Sequence, residues 1–286
     1  MSDDTVCPAK TRLCRALEGH PRAALALEVE PDREPTTPLF ARGELVASRY
    51  RILRRLGANA GAELYRARDR ELREVIALKA ARATSPSAPV VRALFSEARQ
   101  TRLIRHPNVC RVHDVGIHPA AGSGSSRVYF STLELIDGWR LARVVAEGPL
   151  ESPVALGIAR QVLAGLQAAH DVNVQHRQLD SSRILVSGPA LNPSVRIIEF
   201  GLAELTELSS AEERNAGFAL DLHDFGLVLL EMLMGRPAAS GNATGSPRAP
   251  SARISPDVAE VVRRCVSPGP GEAFADVRAV LHSLSS

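Results

Sequence analysis

The sequence predicts an α+β fold in two segregated lobes, and three observations carry that prediction. Its first half alternates short strand-like runs with turn residues, its second half repeats apolar residues at helical spacing, and no strand-helix-strand alternation links them as a parallel sheet would require. At 286 residues, 45% apolar and 23% charged, the chain is long and apolar enough to bury a core in each lobe.

Residues 1–44 hold Pro8, Pro21, Pro31, Pro35 and Pro38 without sustained periodicity, which predicts a weakly structured tail with one short helix near Thr11 to Leu17. Cys7, Cys14 and His20 lie in it, but the gap between the cysteines is wider than a zinc knuckle and a fourth ligand is missing. Strands are expected at Tyr50 to Leu56, Ala62 to Ala67 and Glu74 to Ala80, with turns at Gly57 to Gly61 and Asp69 to Arg70. A helix from about Pro89 to Arg105 follows, closed by Pro107. Two more strands, Cys110 to Ile117 and Val128 to Leu135, flank a loop at Ala121 to Gly124. After Gly138 the pattern turns helical: Ala155, Ile158, Val162, Leu166 and Ala169 share one face, and Leu222 to Met234 is apolar nearly all round, as a central buried helix should be. Gly235 ends that helix and a Gly/Pro/Ser-rich loop covers Arg236 to Arg253. The last two helices start at Ser255-Pro256 and at about Glu272.

Charge and composition exclude several function classes. A formal net charge of +3 is too small a field to imply nucleic acid. The longest apolar candidate, Val154 to Ala169, is interrupted by Arg160 and Gln161, so no membrane span is expected. The first residues show no secretory pattern, and Cys7, Cys14, Cys110 and Cys265 are too scattered for a disulfide scaffold, so the expected compartment is the cytoplasm.

One constellation stands out without any comparison. Val90, Leu94, Thr101 and Ile104 share a helix face with Glu97, which sets a carboxylate in an apolar stripe. A buried carboxylate needs a partner, and Lys79 points to the opposite face of its strand from Ile76 and Leu78.

With these residues in place, the span 44–284 resembles the eukaryotic-like serine/threonine protein kinases of bacteria. Leu56-Gly57 resembles the opening of that family's glycine-rich loop, Ile76-Ala77-Leu78-Lys79 the strand with the phosphate-contacting lysine, and Glu97 its helix partner. His106-Pro107-Asn108-Val109 matches the turn after the helix. Leu133 to Gly138 resembles the hinge between the lobes. His176-Arg177-Gln178-Leu179 falls at the catalytic loop, Glu199-Phe200-Gly201 at the metal-binding triad, and Asp221 and Gly226 on the central helix. The resemblance implies a bilobal protein-kinase-like domain over 45–286, its smaller lobe at 45–136 and its helical lobe at 137–286. It also implies a residual nucleotide site of Leu56, Gly57, Leu64, Ala77, Lys79, Glu97, Leu133, Glu134 and Ile136.

The departures from the family pattern bear on function. Asn59 and Ala62 replace two glycines that let backbone lie close over phosphates. The base position carries Gln178, whose amide does not take up a proton at neutral pH, and losing a general base costs about 10² to 10⁴ in rate. The metal positions carry Arg183, a fixed cation, and Glu199, one methylene longer than aspartate; Asp180 stands where the family has a lysine. Only a short segment joins Gly201 to Asp221, with no Ala-Pro-Glu in it, and Ala273 stands where the family has its pairing arginine. No intact catalytic set and no metal site is therefore expected, no cofactor is required, and ATP binding is expected to be weak with little use of Mg²⁺. The implied role is that of a pseudokinase, a regulatory or scaffolding module whose partner is a protein, an active kinase or its substrate. The alternative is a weakly active serine/threonine kinase. Arg183 and Glu199 are expected to form an ion pair where the family holds metal, with Asp180 as a second acceptor.

Overall fold

In a computed structural model, residues 38–59, 61–120, 125–201, 211–235 and 254–284 are described. The first lobe is an antiparallel sheet of β1 (Leu45–Val46), β2 (Tyr50–Asn59), β3 (Ala62–Asp69), β4 (Val75–Ala83), β5 (Val112–Pro119) and β6 (Arg127–Glu134), in the order β1-β2-β3-β4-β6-β5. Side chains alternate across it, so β4 serves two cores. Ile76, Leu78 and Ala80 pack with Tyr50, Tyr65 and Phe130 on one face, while Ala77 packs with Leu56, Leu64 and Leu133 on the other. Helix α1 (Pro89–Thr101) lies on that second side and opens with proline in its first turn, where a missing amide costs nothing. It ends before the predicted Arg105: Leu103 and Ile104 donate to Gln100 and Thr101 in a tighter turn, because the chain must leave helical geometry ahead of Pro107.

Residues 38–44, assigned to the tail from their prolines, belong to this lobe. Phe40 is buried, stands edge-on to the Tyr65 ring at 5.5 Å and the His118 ring at 5.7 Å, and its amide donates to the Tyr65 hydroxyl. One aromatic side chain anchors what composition alone marks as leader. The helix expected near Thr11 and the residues Cys7, Cys14 and His20 lie outside the described residues.

The second lobe is built on α2 (Leu141–Ala146), α3 (Ser152–His170), α4 (Ala211–Met234), α5 (Pro256–Val266) and α6 (Val277–Ser283). Ile158, Val162 and Leu166 of α3 pack with Phe225, Leu229 and Met232 of α4 at the centre of its core. Helix α4 begins well before the predicted Leu222: Glu212 suits its positive N-terminal end, and the one glycine ahead of Leu222, Gly217, is kept because a side chain there would run into Gln175. Helix α6 starts later than the predicted Glu272, at the point where the Asp276 carboxylate caps the Ala279 amide at 2.8 Å. A small sheet of β7 (Trp139–Arg140), β8 (Ile184–Ser187) and β9 (Ser194–Ile197) interrupts the helices. Strands of two to four residues are too short to show a period, so none of them is visible in the sequence pattern.

Candidate functional site

A cleft lies between the lobes, with about 530 Å³ of empty space that includes open solvent at its mouth. Leu64, Lys79, Glu97, Leu133 and Glu134, all expected from the sequence, line it. Leu56, Ala77 and Ile136, expected with them, are buried in the apolar cluster that backs the cleft, and Gly57 pairs with Leu64 across β2 and β3; none of these four is in its lining. Ala58, Glu63, Cys110, Arg140 and Ile198 line it and were not anticipated. For Arg140 the only sequence signal is an arginine just past a glycine in the hinge region, and a family pattern read at fixed positions passes over it.

Strand β4 and helix α1 bring Lys79 Nζ to 2.7 Å from Glu97 Oε2, with the carboxylate almost fully buried. Burial works against the Lys79 charge, but Glu97 and then Glu199 outweigh it, and its pKa is raised. Burial pushes the Glu97 carboxyl up and Lys79 holds it back. Glu199 reaches into the same cluster, 3.6 Å from Lys79 Nζ through Oε1 and 3.4 Å from Arg183 Nε through Oε2. The second contact is an attraction between charges, not an aligned hydrogen bond. Burial would raise the Glu199 carboxyl, but Lys79, Arg140 and Arg183 together pull it below the usual carboxylate range.

The Arg183 guanidinium is the centre of the arrangement. It pairs with Asp180, donates to the Gln178 carbonyl at 2.7 Å, and donates to the Gln178 side-chain oxygen at 3.1 Å. The 3₁₀ turn Ser181–Arg183 sets this geometry, capped by the Asp180 carboxylate on the Ser182 amide at 2.7 Å. Arg140 donates to the Ser182 carbonyl from the other side. Positions 178, 180, 183 and 199 are thereby tied to one another, and the expected pair of Arg183 with Glu199 and Asp180 is present.

Below the cluster, the His176 ring lies 4.8 Å from the Phe200 ring and its Nε2 is 3.0 Å from the Ile198 carbonyl oxygen. Asp221 of α4 is fully buried and accepts from the His176 amide at 2.9 Å and the Arg177 amide at 2.6 Å. Those bonds hold Arg177 in a left-handed conformation, φ 67°, and Glu199 likewise has φ 65°. Such backbone strain costs on the order of 1–3 kcal/mol per residue and persists where surrounding contacts over-determine it.

A divalent cation needs several free oxygen donors in a compact shell. Here both Glu199 oxygens face cations, and a guanidinium stands against the carboxylate that would be the ligand. The residues present do not fit Mg²⁺. The apolar walls Leu64, Leu133 and Ile198 with Lys79 at their edge do suit a planar ring bearing a negatively charged tail.

Comparison with known proteins accords with this architecture. Residues 50–253 match the protein kinase domain family. The chain is 27% identical to serine/threonine-protein kinase pkn3 of Myxococcus xanthus over 293 residues, covering 89% of this chain and 52% of that protein. It is 27% identical to PrkC of Bacillus subtilis over 226 residues, 71% of this chain and 33% of PrkC. It is 30% identical to PknE of Mycobacterium tuberculosis over 213 residues, 68% of this chain and 36% of PknE. It thus spans between a third and about half the length of these relatives. Among solved structures, the kinase domain of Mycobacterium tuberculosis PknI superposes with a TM-score of 0.63 at 22% identity, covering 86% of this chain and 98% of that one. Rad53 residues 1–466 bound to AMP-PNP superposes with the same score at 20% identity, covering 81% and 64%. At those identities the likeness speaks for the fold. The match over residues 50–253, on a bilobal frame that pairs Lys79 with Glu97, places this chain in the protein kinase family.

Proposed function

We propose that this chain is a pseudokinase, a regulatory or scaffolding module in protein-kinase signalling that acts on a protein partner in the cytoplasm. The observation that carries the reading is the Arg183 guanidinium, seated between Asp180 and Glu199 where the family holds metal. Metal neutralisation of the phosphates is a large electrostatic contribution to phosphoryl transfer, and a fixed guanidinium cannot bridge two phosphate groups while it is paired to two carboxylates. Gln178 adds a missing base, and its side-chain oxygen is already occupied by Arg183. ATP binding in this reading is weak and little affected by Mg²⁺.

A second reading is a slow serine/threonine kinase, favoured by the intact pair of Lys79 and Glu97 and by the named kinases among the relatives. Radiolabel transfer from ATP with Mg²⁺ or Mn²⁺ to a generic protein substrate separates the two. The proposal expects no incorporation above a Lys79→Ala control, and none on restoring Gln178→Asp alone. Robust incorporation by the natural sequence that vanishes in the Lys79 variant establishes the second reading instead.

A further inference from the structure

The β-rich lobe carries an arginine stripe that the cleft does not use. In the register of β2 and β3, Arg51 stands directly opposite Arg68, and Arg54 opposite Arg66. The two irregularities of the pairing, at Leu53 and Leu56, lie on β2, so β3 keeps its alternation and Arg66 and Arg68 fall on the same face as Leu64, a wall of the cleft. All four arginines therefore share that face, beside the mouth of the cleft. Asp69, which holds Arg49, takes the opposite face. Arg51, Arg54 and Arg68 are exposed and Arg66 is half-buried. Like charges directly opposite each other on two strands repel. The described residues bring no carboxylate into an ion pair with Arg51, Arg66 or Arg68, so the carboxylates that answer this stripe come from elsewhere.

The chain ahead of the lobe supplies them. Glu28, Glu30, Asp32 and Glu34 occur at every second position. An extended segment sets alternate side chains on one side, about 6.6 Å apart, the same interval that separates Arg66 from Arg68 on β3. The point where this chain enters the lobe is fixed: the Leu39 amide donates to Glu63 Oε2 at 3.0 Å, and the Phe40 amide donates to the Tyr65 hydroxyl at 3.1 Å. Glu63 lies on β3 close to Arg66, on the opposite face. Strand β1 pairs only with Tyr50 and Arg51, so among the described residues the edge of β2 from Arg54 onward has no neighbouring strand. Glu34 is five residues ahead of Leu39, and five extended residues reach about 17 Å. Strands lie only about 4.8 Å apart, so that length carries the chain over the open edge to the arginine face.

We propose that residues 28–34 of this chain dock on the arginine face of β2 and β3, their four carboxylates against Arg51, Arg54, Arg66 and Arg68, as an intramolecular strap beside the mouth of the cleft. The strap keeps other anions off that face, and it does so whether or not the cleft transfers phosphate.

The test titrates a fluorescent peptide of residues 27–37 into two full chains, the natural one and a neutralised one with Glu28→Gln, Glu30→Gln, Asp32→Asn and Glu34→Gln. Polarisation should show the peptide binding the neutralised chain, more weakly as salt rises. In the natural chain the resident segment competes at an effective concentration in roughly the millimolar range, so the peptide should bind there at least about tenfold more weakly. Adding Arg51→Gln, Arg54→Gln, Arg66→Gln and Arg68→Gln to the neutralised chain should abolish binding, and Arg92→Gln, on the exposed side of α1, should leave it unchanged. If the fourfold arginine variant melts early, Arg51→Gln and Arg68→Gln are read singly, each with an expected loss of about two- to fivefold, the worth of one exposed ion pair. No binding to the neutralised chain, equal binding to both chains, or binding indifferent to the arginine substitutions would each overturn the proposal. So would competition in the natural chain that fades on dilution, which would put the segment on a second copy.

Discussion

Arg183 concentrates in one side chain the contacts that tie the catalytic-loop positions together. Its guanidinium is about one-fifth exposed and faces Asp180, Glu199 and both oxygens of Gln178. Removing it leaves Glu199 with Lys79 as its near cation and frees the Gln178 oxygens. Breaking a fully buried pair costs roughly 3–5 kcal/mol, and water reaching this one reduces that, so Arg183→Ala should destabilise by about 1–3 kcal/mol in urea melts. Exposed Arg92→Ala should stay within about 0.5 kcal/mol. Equal losses from the two would show that Arg183 organises nothing. His176 gives a second handle at this scale. Burial holds its pKa below the ordinary 6.5, with Asp221 pushing back. As pH falls through 6.5 the unfolded imidazole takes up a proton and the folded one does not, so stability is full above that value and is lost towards the depressed folded value. The slope is at most about 1.4 kcal/mol per pH unit. The Glu199 contribution has the same sign but is lost only below the ordinary carboxylate value of 4.5. His106, depressed by burial and by Arg196, adds to the loss above that value, and the raised carboxyls of Glu97, Asp224 and Glu231 oppose it. The share of His176 is therefore read from the difference between the natural sequence and His176→Gln. Thermal midpoints should fall between about pH 7 and pH 5, and fall less in His176→Gln; a parallel fall in both would assign the acid sensitivity elsewhere.

At the scale of elements, the sequence identified what repeats and missed what is short. Long helices such as α3 and α4 show their apolar faces over several turns, and the β-rich lobe shows its turns, so both are legible. The small sheet β7-β8-β9 is not, because β8 is buried throughout Ile184, Leu185 and Val186 and a continuous apolar run has no period to read. Boundaries moved where a single cap or ring decided them: Asp276 fixed the start of α6, and Phe40 drew the end of the tail onto the sheet. Close approach of elements is equally invisible in a pattern of apolar residues. Helix α4 meets α5 at Gly226, where a Cβ would come within 2.6 Å of the Cys265 Cβ and 2.9 Å of Val266 Cγ2. Gly226→Ala should therefore force α4 and α5 apart and cost about 1–3 kcal/mol. Its thermal melt should show a drop of several degrees, and an unchanged midpoint would mean that the contact relaxes freely.

For the molecule as a whole, the two-lobe frame was legible because its core residues and its pairing of Lys79 with Glu97 both follow from burial and periodicity. The cleft was legible in part. Residues whose chemistry announces itself, Gln178, Arg183 and Glu199, were found by their departure from a pattern, whereas Arg140 and Cys110 enter the lining only because the lobes close over each other. The central claim is that side chains have replaced the metal as organiser of the cleft. Calorimetric titration of ATP with and without Mg²⁺ tests it most directly. The account predicts feeble binding that is indistinguishable in the two conditions, and a Mg²⁺ dependence that emerges in the double variant Arg183→Asn with Glu199→Asp. Micromolar affinity in the natural sequence that strictly requires Mg²⁺ would contradict it.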